Sequence, residues 1–439
     1  MLYGFLKILL RIGMFFYYRR LTFKGREHLN YEGPKVLIAN HPNTIMDAWI
    51  VGAASREPVY FMAKGTFFNT PLKRRFLHAL GLIPINRSSD GKVDGVSNED
   101  SFEQCYRLLE SGKTLAIFPE GSSYAERFLR KLKSGTARIV LQTEERNEGK
   151  LGVKVIPIGI VYQQPDKFRS SVLVRVGKPI DPLPYLELFR QDRLKAARLL
   201  TDQFRAGLTE LLVAADSKVA ETLTDKIAAT LDNAYVGSGP RFERRIELLS
   251  AINGRVHWIE RNDPEQFRQI EELTDRVYWQ IERLAIKSSF LDRRFRSTMF
   301  IRQLLTSVIG LTLALPIYLY GFIHHIIPFK ISEWLMKKLV AEVEYYAPIA
   351  ILFGLLLYPL TYWGWITLFN HFTDLPLIWS YLYFLSLPFS GLLAYSFFMY
   401  YQHISFKWKY ILLMIDKRDA MDLLKEDRET LRNLVFPQN

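Results

Sequence analysis

Three apolar stretches toward the C-terminus, at about residues 304–328, 347–369 and 375–401, constrain this chain more than any other feature. Each approaches the roughly 20 residues needed to cross the hydrocarbon core of a bilayer. The last two read as a spanning hairpin, joined by the short polar turn Asn370-His371-Phe372-Thr373-Asp374, with Trp363, Trp365, Trp379 and Tyr381 suited to interfacial belts. The first contains Pro316, the pair His324-His325 and Pro328. An ionisable pair is costly inside a span, so a re-entrant or in-plane helix pair competes there with a true crossing; at an interface both rings would be hydrated. Beyond Tyr401 the basic residues Lys407, Lys409, Lys417, Arg418, Lys425, Arg428 and Arg432 place the tail in the cytoplasm by the positive-inside tendency, with the N-terminal domain. Two crossings satisfy that arrangement and three do not.

The N-terminus, MLYGFLKILLRIGMFFYYRR, mixes Leu2, Phe5, Leu6, Leu9, Leu10 and Phe16 with Lys7 and Arg11, four apart on one helix face. That pattern predicts an interfacial amphipathic helix, or one packing its apolar side on a globular domain. It lacks the positive start, uninterrupted apolar run and cleavage site of a signal peptide, so it is expected to stay on the mature protein. With 49% hydrophobic content in 439 residues the chain must bury a core, which excludes disorder. The net charge of +13 is carried by single and paired basic residues rather than blocks, which favours an anionic membrane surface over nucleic acid as partner. A single cysteine, Cys105, excludes an intramolecular disulfide and a cysteine-based zinc cluster, and it fits a reducing compartment.

Between Arg26 and about Pro182, short β-type runs alternate with helical or loop stretches: residues 36–39, 59–62, 82–85, 114–118, 153–160 and 172–176. This predicts an α/β domain with a mixed, largely parallel sheet and functional loops at strand ends. The expected organisation is an amphipathic helix at 1–22, the α/β domain at 23–184, a charged helical connector at 185–300, membrane segments at 301–402 and a cytoplasmic tail at 403–439.

Four segments carry chemistry. Asn40-His41-Pro42-Asn43-Thr44-Ile45-Met46-Asp47 follows a strand and opens a helix, placing a histidine where a general base could reach substrate and a carboxylate where it could orient the ring. Gly81-Leu82-Ile83-Pro84-Ile85-Asn86-Arg87 delivers an arginine whose planar fork suits a phosphate. Phe118-Pro119-Glu120-Gly121-Ser122-Ser123 ends another strand with a carboxylate and a glycine that admits close approach to the backbone. Lys131, Lys133 and Arg138 follow, either as positive charge for a ligand or as a solvated helix face. Val155-Ile156-Pro157-Ile158-Gly159 is an apolar strand whose Pro and Gly mark an edge or a close approach, shaping a pocket rather than reacting.

In order and spacing these four segments resemble the glycerolipid acyltransferase family, over about residues 23–180. The resemblance implies that His41 is the general base and Asp47 its orienting carboxylate. It implies that Arg87 binds phosphate, that Glu120 with Gly121 forms the acceptor-binding heart, that Lys133 assists, and that Pro157 has no chemical role. It also implies an acyl-CoA or acyl-carrier-protein donor and no metal or prosthetic group. One departure concerns spacing: the family usually has four residues between His and Asp, whereas five separate His41 from Asp47. At about 100° per helical residue the extra position would turn Asp47 away, so His41 must precede the helix. The HPN form resembles a branch that includes eukaryotic glycerol-3-phosphate acyltransferases with C-terminal membrane segments. Ser122-Ser123 stands where many members have a basic pair, shifting phosphate binding toward Arg87 and Lys133.

The resulting expectation is a membrane-bound O-acyltransferase of phospholipid synthesis, with its catalytic domain on the cytoplasmic face, acylating glycerol 3-phosphate. Lysophosphatidate is the alternative acceptor. A non-catalytic lipid-binding scaffold is the other alternative, which an Asp47 turned away from His41 with no pocket alongside would favour.

Overall fold

The computed structural model describes residues 2–86, 97–213, 218–231, 241–292, 297–340 and 342–437. The chain divides into two units: Met1–Asp216 with Val340–Ile351, and Ser217–Leu339 with Leu352–Asn439.

In the first unit the elements run α1 (Leu2–Tyr17), β1 (Arg20–Lys24), β2 (Lys35–Ala39), α2 (Thr44–Ala54), β3 (Val59–Lys64), α3 (Pro71–Ala79), β4 (Leu82–Ile85), α4 (Asn98–Glu110), β5 (Thr114–Ile117), α5 (Gly135–Arg146), β6 (Lys154–Tyr162), β7 (Ser171–Val176), α6 (Leu186–Gln191) and α7 (Arg193–Leu211). The strands form one sheet in the order β1-β7-β6-β2-β5-β3-β4, parallel throughout except for the antiparallel β6–β7 pair. β2 and β5 are buried at every residue, as strands covered on both faces must be, which is why they read as continuous apolar runs. One face packs Val36 and Ile38 of β2 and Leu115 of β5 against Ile139 and Val140 of α5 and Leu200 and Phe204 of α7.

Two features of this unit correct or extend the sequence reading. β6 is a central strand, not an edge: Pro157 pairs with Ile38 on one side, and its carbonyl accepts from the Gly177 N–H at 2.8 Å on the other. Proline forfeits one ladder donor, and its carbonyl remains fully used. Gly159 does mark a close approach, since a Cβ there would stand 2.7 Å from Cβ of Leu211. β1, half-exposed along its length, is a strand the apolar pattern did not indicate.

α1 uses both its faces. Tyr3, Leu6, Leu10 and Met14 turn inward, while Phe5, Ile8, Ile12 and Phe15 form an exposed stripe. Its basic residues also turn inward: Lys7 Nζ donates to the Ser55 carbonyl at 3.0 Å and Arg11 to that of Ala53 at 3.3 Å, with Arg26 on Ala54 at 2.9 Å. Three cations thus meet the unpaired carbonyls at the negative end of α2. Burial, and then the neighbouring Arg11 and Arg26, hold the Lys7 ammonium below its usual range.

The second unit contains α8 (Lys218–Leu231), α9 (Arg241–Asn262), α10 (Pro264–Leu284), α11 (Ser297–Leu339), most of α12 (Tyr346–Phe372), α13 (Leu377–Asp416) and α14 (Arg418–Val435). α10 starts on an Asp263 cap with Pro264 in its first turn and buries Ile270, Leu273, Val277 and Ile281 at helical spacing. The C-terminal segment is itself part of a bundle: α14 packs against α8, α9 and α10, and its buried Arg428 pairs with Asp292 and donates to the Thr230 carbonyl.

α11, α12 and α13 are each long and apolar enough to cross a membrane. α11 is one continuous helix through Pro316 and Pro328, not a helix pair. It lies against α13 on small residues: a Cβ at Gly321 would stand 2.2 Å from the Ser390 carbonyl oxygen. Both rings of the histidine pair are hydrogen-bonded within the protein. His324, 8% exposed, bonds through Nδ1 to the Tyr320 carbonyl at 2.6 Å and through Nε2 to the Tyr383 hydroxyl at 2.7 Å. His325 does the same with the Gly321 carbonyl and the Tyr362 hydroxyl, at 2.7 and 2.8 Å. Satisfying both ring nitrogens offsets the cost of polar groups in an apolar bundle.

Candidate active site

From β2 the chain passes beyond β5 to β3, and from β5 it passes back beyond β2 to β6, so right-handed crossovers carry the two connections over opposite faces of the sheet. Loops that diverge in this way at the C-terminal ends of neighbouring parallel strands open a crevice, the usual ligand position in such sheets. His41 lies in the loop after β2, and Phe118 to Gly121 lie in the loop after β5.

His41 and Asp47 meet across the turn into α2. The His41 Nδ1–H donates to Asp47 Oδ2 at 2.9 Å, and the imidazole stacks on the Phe118 ring with centroids 4.0 Å apart. An N–H at Nδ1 leaves Nε2 as the acceptor, the arrangement a general base requires. His41 precedes the helix, and the additional residue of the motif is accommodated at Thr44, whose φ of 41° lies in the left-handed region. A β-branched residue held there costs on the order of 1–3 kcal/mol, which the surrounding contacts must offset. Asn40 anchors the loop from behind: its amide donates to the Ile160 carbonyl and accepts from the Ile160 N–H, at 3.0 and 2.8 Å.

Asp47 is fully buried, and both its oxygens are engaged. Oδ2 also accepts the Asn43 N–H at 2.7 Å, and Oδ1 accepts the Tyr162 hydroxyl at 2.6 Å. Burial, and then the Asp47 charge, push the Tyr162 hydroxyl well above the usual phenol range, so it stays protonated and donates. Tyr162→Phe is expected to lower kcat about tenfold with KM unchanged, and to cost about 1–3 kcal/mol of stability, because a buried carboxylate oxygen loses its partner. Steady-state kinetics and thermal melting check both parts; wild-type values in both would remove Tyr162 from the site.

The two loops brace each other. Glu120 Oε1 accepts the His41 N–H at 2.9 Å, Oε2 accepts the Arg130 N–H at 3.3 Å, and the Tyr124 N–H donates to the His41 carbonyl at 3.1 Å. Burial raises the Glu120 carboxyl above its ordinary range, against the two backbone N–H groups that favour its charge. Both Glu120 oxygens therefore face the protein's own backbone. Gly121 has φ of +78°, and a Cβ there would stand 2.6 Å from Lys133 Nζ. A side chain here would hold a strained backbone and push the Lys133 ammonium aside.

His41, Thr44, Gly121 and Lys133 line a cavity of about 1100 Å³, whose remaining wall is mainly apolar and includes Leu6, Leu10, Trp49 and Phe76. Arg87 lies outside the described residues; the preceding Asn86 lines the cavity. Of the residues singled out in the sequence, His41, Asp47, Glu120, Gly121 and Lys133 come together here. An Asp47 turned away from His41 with no pocket alongside would favour the scaffold reading; the structure instead has the two side chains hydrogen-bonded beside a cavity. Tyr162, Phe118 and Asn40 as a loop anchor were not apparent from spacing, since each acts through a contact distant in sequence.

Residues 20–161 match the model of the family described as Acyltransferase. Over 171 residues the chain is 28% identical to glycerol-3-phosphate O-acyltransferase 1 of Saccharomyces cerevisiae, covering 37% of this chain and 22% of that protein. Over 143 residues it is 24% identical to a chloroplastic 1-acyl-sn-glycerol-3-phosphate acyltransferase of Arabidopsis thaliana, covering 32% and 36%. An uncharacterised acyltransferase of Schizosaccharomyces pombe is 31% identical over 97 residues, covering 22% and 14%. The chain thus spans between about a seventh and a third of the length of these relatives. The crystal structure of the 1-acyl-sn-glycerophosphate acyltransferase of Thermotoga maritima aligns with a TM-score of 0.31 and 16% identity, over 45% of this chain and 77% of that one.

Proposed function

We propose that residues 20–161, which match the model of the family described as Acyltransferase and are followed by three helices long and apolar enough to span a membrane, form a glycerolipid acyltransferase domain, and that this protein transfers a fatty acyl group from an acyl thioester to the hydroxyl of a phosphorylated glycerol, glycerol 3-phosphate first. The observation that carries the reading is the His41–Asp47 pair, 2.9 Å apart, opening into a large, mainly apolar cavity that also holds Lys133.

His41 Nε2 removes the hydroxyl proton, and the oxygen attacks the thioester carbonyl. The tetrahedral intermediate collapses to the ester, expelling the thiolate of coenzyme A or acyl-carrier protein, and the imidazolium returns the proton to it. A thioester needs no enzyme nucleophile, and Cys105 is buried with its thiol pushed up to about 12. The apolar wall suits the acyl chain; Lys133, with Arg87, would hold the acceptor phosphate. The exposed stripe of α1 is suited to the bilayer surface, with the first unit on the cytoplasmic face.

Lys133→Ala is expected to raise the acceptor KM about tenfold or more, the scale of one lost charge-assisted hydrogen bond, while donor KM stays near wild type. An equal rise in both constants would argue against phosphate binding. A second acceptor, lysophosphatidate, is favoured by the cavity's volume and apolar wall, which suit a lipid. Purified protein in detergent with labelled acyl-CoA separates them. Transfer to glycerol 3-phosphate supports the reading, transfer to lysophosphatidate alone selects the second, and transfer to neither, with carrier-protein donors also tried, overturns both.

A further inference from the structure

Val340–Ile351, which joins α11 to α12 and includes the first residues of α12, folds with the first unit, although α11 and the rest of α12 belong to the second. Within it Ala347 and Ile351 are buried, and Tyr345 lines the cavity together with His41 and Thr44. Glu344 makes two hydrogen bonds, one to each loop of the site. Its carbonyl accepts the Thr44 hydroxyl at 2.9 Å, across 300 positions of sequence, and its carboxylate accepts the Ala125 N–H at 3.3 Å. Thr44 is the left-handed residue between His41 and Asp47. Ala125 follows Tyr124, whose N–H holds the His41 carbonyl. Glu344 therefore closes a ring that runs from Thr44 through Glu344, Ala125 and Tyr124 back to His41.

We propose that the segment between the first two apolar helices is a built part of the acyl-transfer site, with Glu344 as a positioning residue that locks the His41 loop to the Glu120 loop and Tyr345 as a wall of the substrate cavity. The inference rests on the acyl-transfer reading for its kinetic consequences, not for its geometry. The strained Thr44 conformation needs an outside restraint, and its hydroxyl finds one on Glu344. The catalytic geometry is thereby coupled to a segment outside the residues 20–161 that the acyltransferase family covers.

The test uses the full chain in detergent. Glu344→Ala is expected to lower kcat about tenfold with smaller changes in KM, the scale of a lost hydrogen bond to a charged acceptor. Glu344→Gln, whose amide oxygen can still accept from Ala125, should recover most of that loss. Thr44→Val should act in the same direction, and the double variant should lose less than the product of the singles, because both break one ring. Tyr345→Ala should alter the chain-length preference for the acyl donor. Amide hydrogen exchange provides a readout independent of activity: Glu344→Ala should speed exchange in the peptides spanning 41–47 and 120–130 and leave α8 to α10 unchanged. Unchanged exchange in both loops, or single-variant losses that multiply independently, would overturn the proposal. Faster loop exchange in a protein with no acyl transfer would instead uphold the positioning role and remove the acyl-transfer reading.

Discussion

His41→Ala is expected to lower acyl transfer about 10²- to 10⁴-fold, the range that proton abstraction by a positioned base contributes. The loss should fall on kcat, with acceptor and donor KM near wild type. His41 accepts the acceptor's proton in the transition state, whereas the ground-state contacts assigned to substrate lie with Lys133 and the apolar wall. The backbone of residue 41 holds Glu120 and Tyr124 through its N–H and carbonyl, which alanine keeps, so the loop should persist. Single-turnover transfer with labelled donor gives the measurement. A variant retaining more than about a tenth of wild-type kcat would be outside the range for a general base and would move the proton to another group.

Asp47→Asn is expected to lower kcat at least about 10²-fold with little change in melting temperature, since an orienting carboxylate acts by holding and stabilising the imidazolium. An amide oxygen can still accept from His41 and the Asn43 N–H, and the amide nitrogen can face the Tyr162 oxygen, so the hydrogen-bonding geometry is retained. The negative charge is lost, and with it the stabilisation of positive charge on His41 as the proton arrives. Measured beside Tyr162→Phe, the two variants separate charge from orientation: the tyrosine variant keeps the carboxylate and removes one restraint, so its loss should be the smaller. A wild-type rate in Asp47→Asn would reduce this carboxylate to a cap on the first turn of α2.

Much of the fold was legible because its causes are local. Buried parallel strands need apolar residues on both faces, so β2 and β5 stand out as short continuous runs within a residue or two of where they lie. Likewise the histidine-to-aspartate interval required His41 to precede the helix, since a helical turn cannot bring residues six apart onto one face. β1 escaped notice because it is short and half-exposed, with no apolar run to mark it. The central position of β6 escaped because Pro157 follows the rule for edges, and which neighbours a strand acquires depends on the whole sheet order.

The sequence by itself determined the α/β class, the three apolar stretches and the loops that carry His41, Asp47 and Glu120, because apolar runs and strand-end loops are written within a few residues of one another; that the first stretch is one continuous helix was decided by the structure. Tertiary structure alone decided that Tyr162 holds Asp47 from 115 positions away and that Glu344 holds Thr44 from 300, and it turned both oxygens of Glu120 onto backbone. A hydrogen bond between distant residues leaves no period in the chain. It exists only once the sheet and the returning segment have brought donor and acceptor within about 3 Å, and its strength depends on the water excluded when they meet.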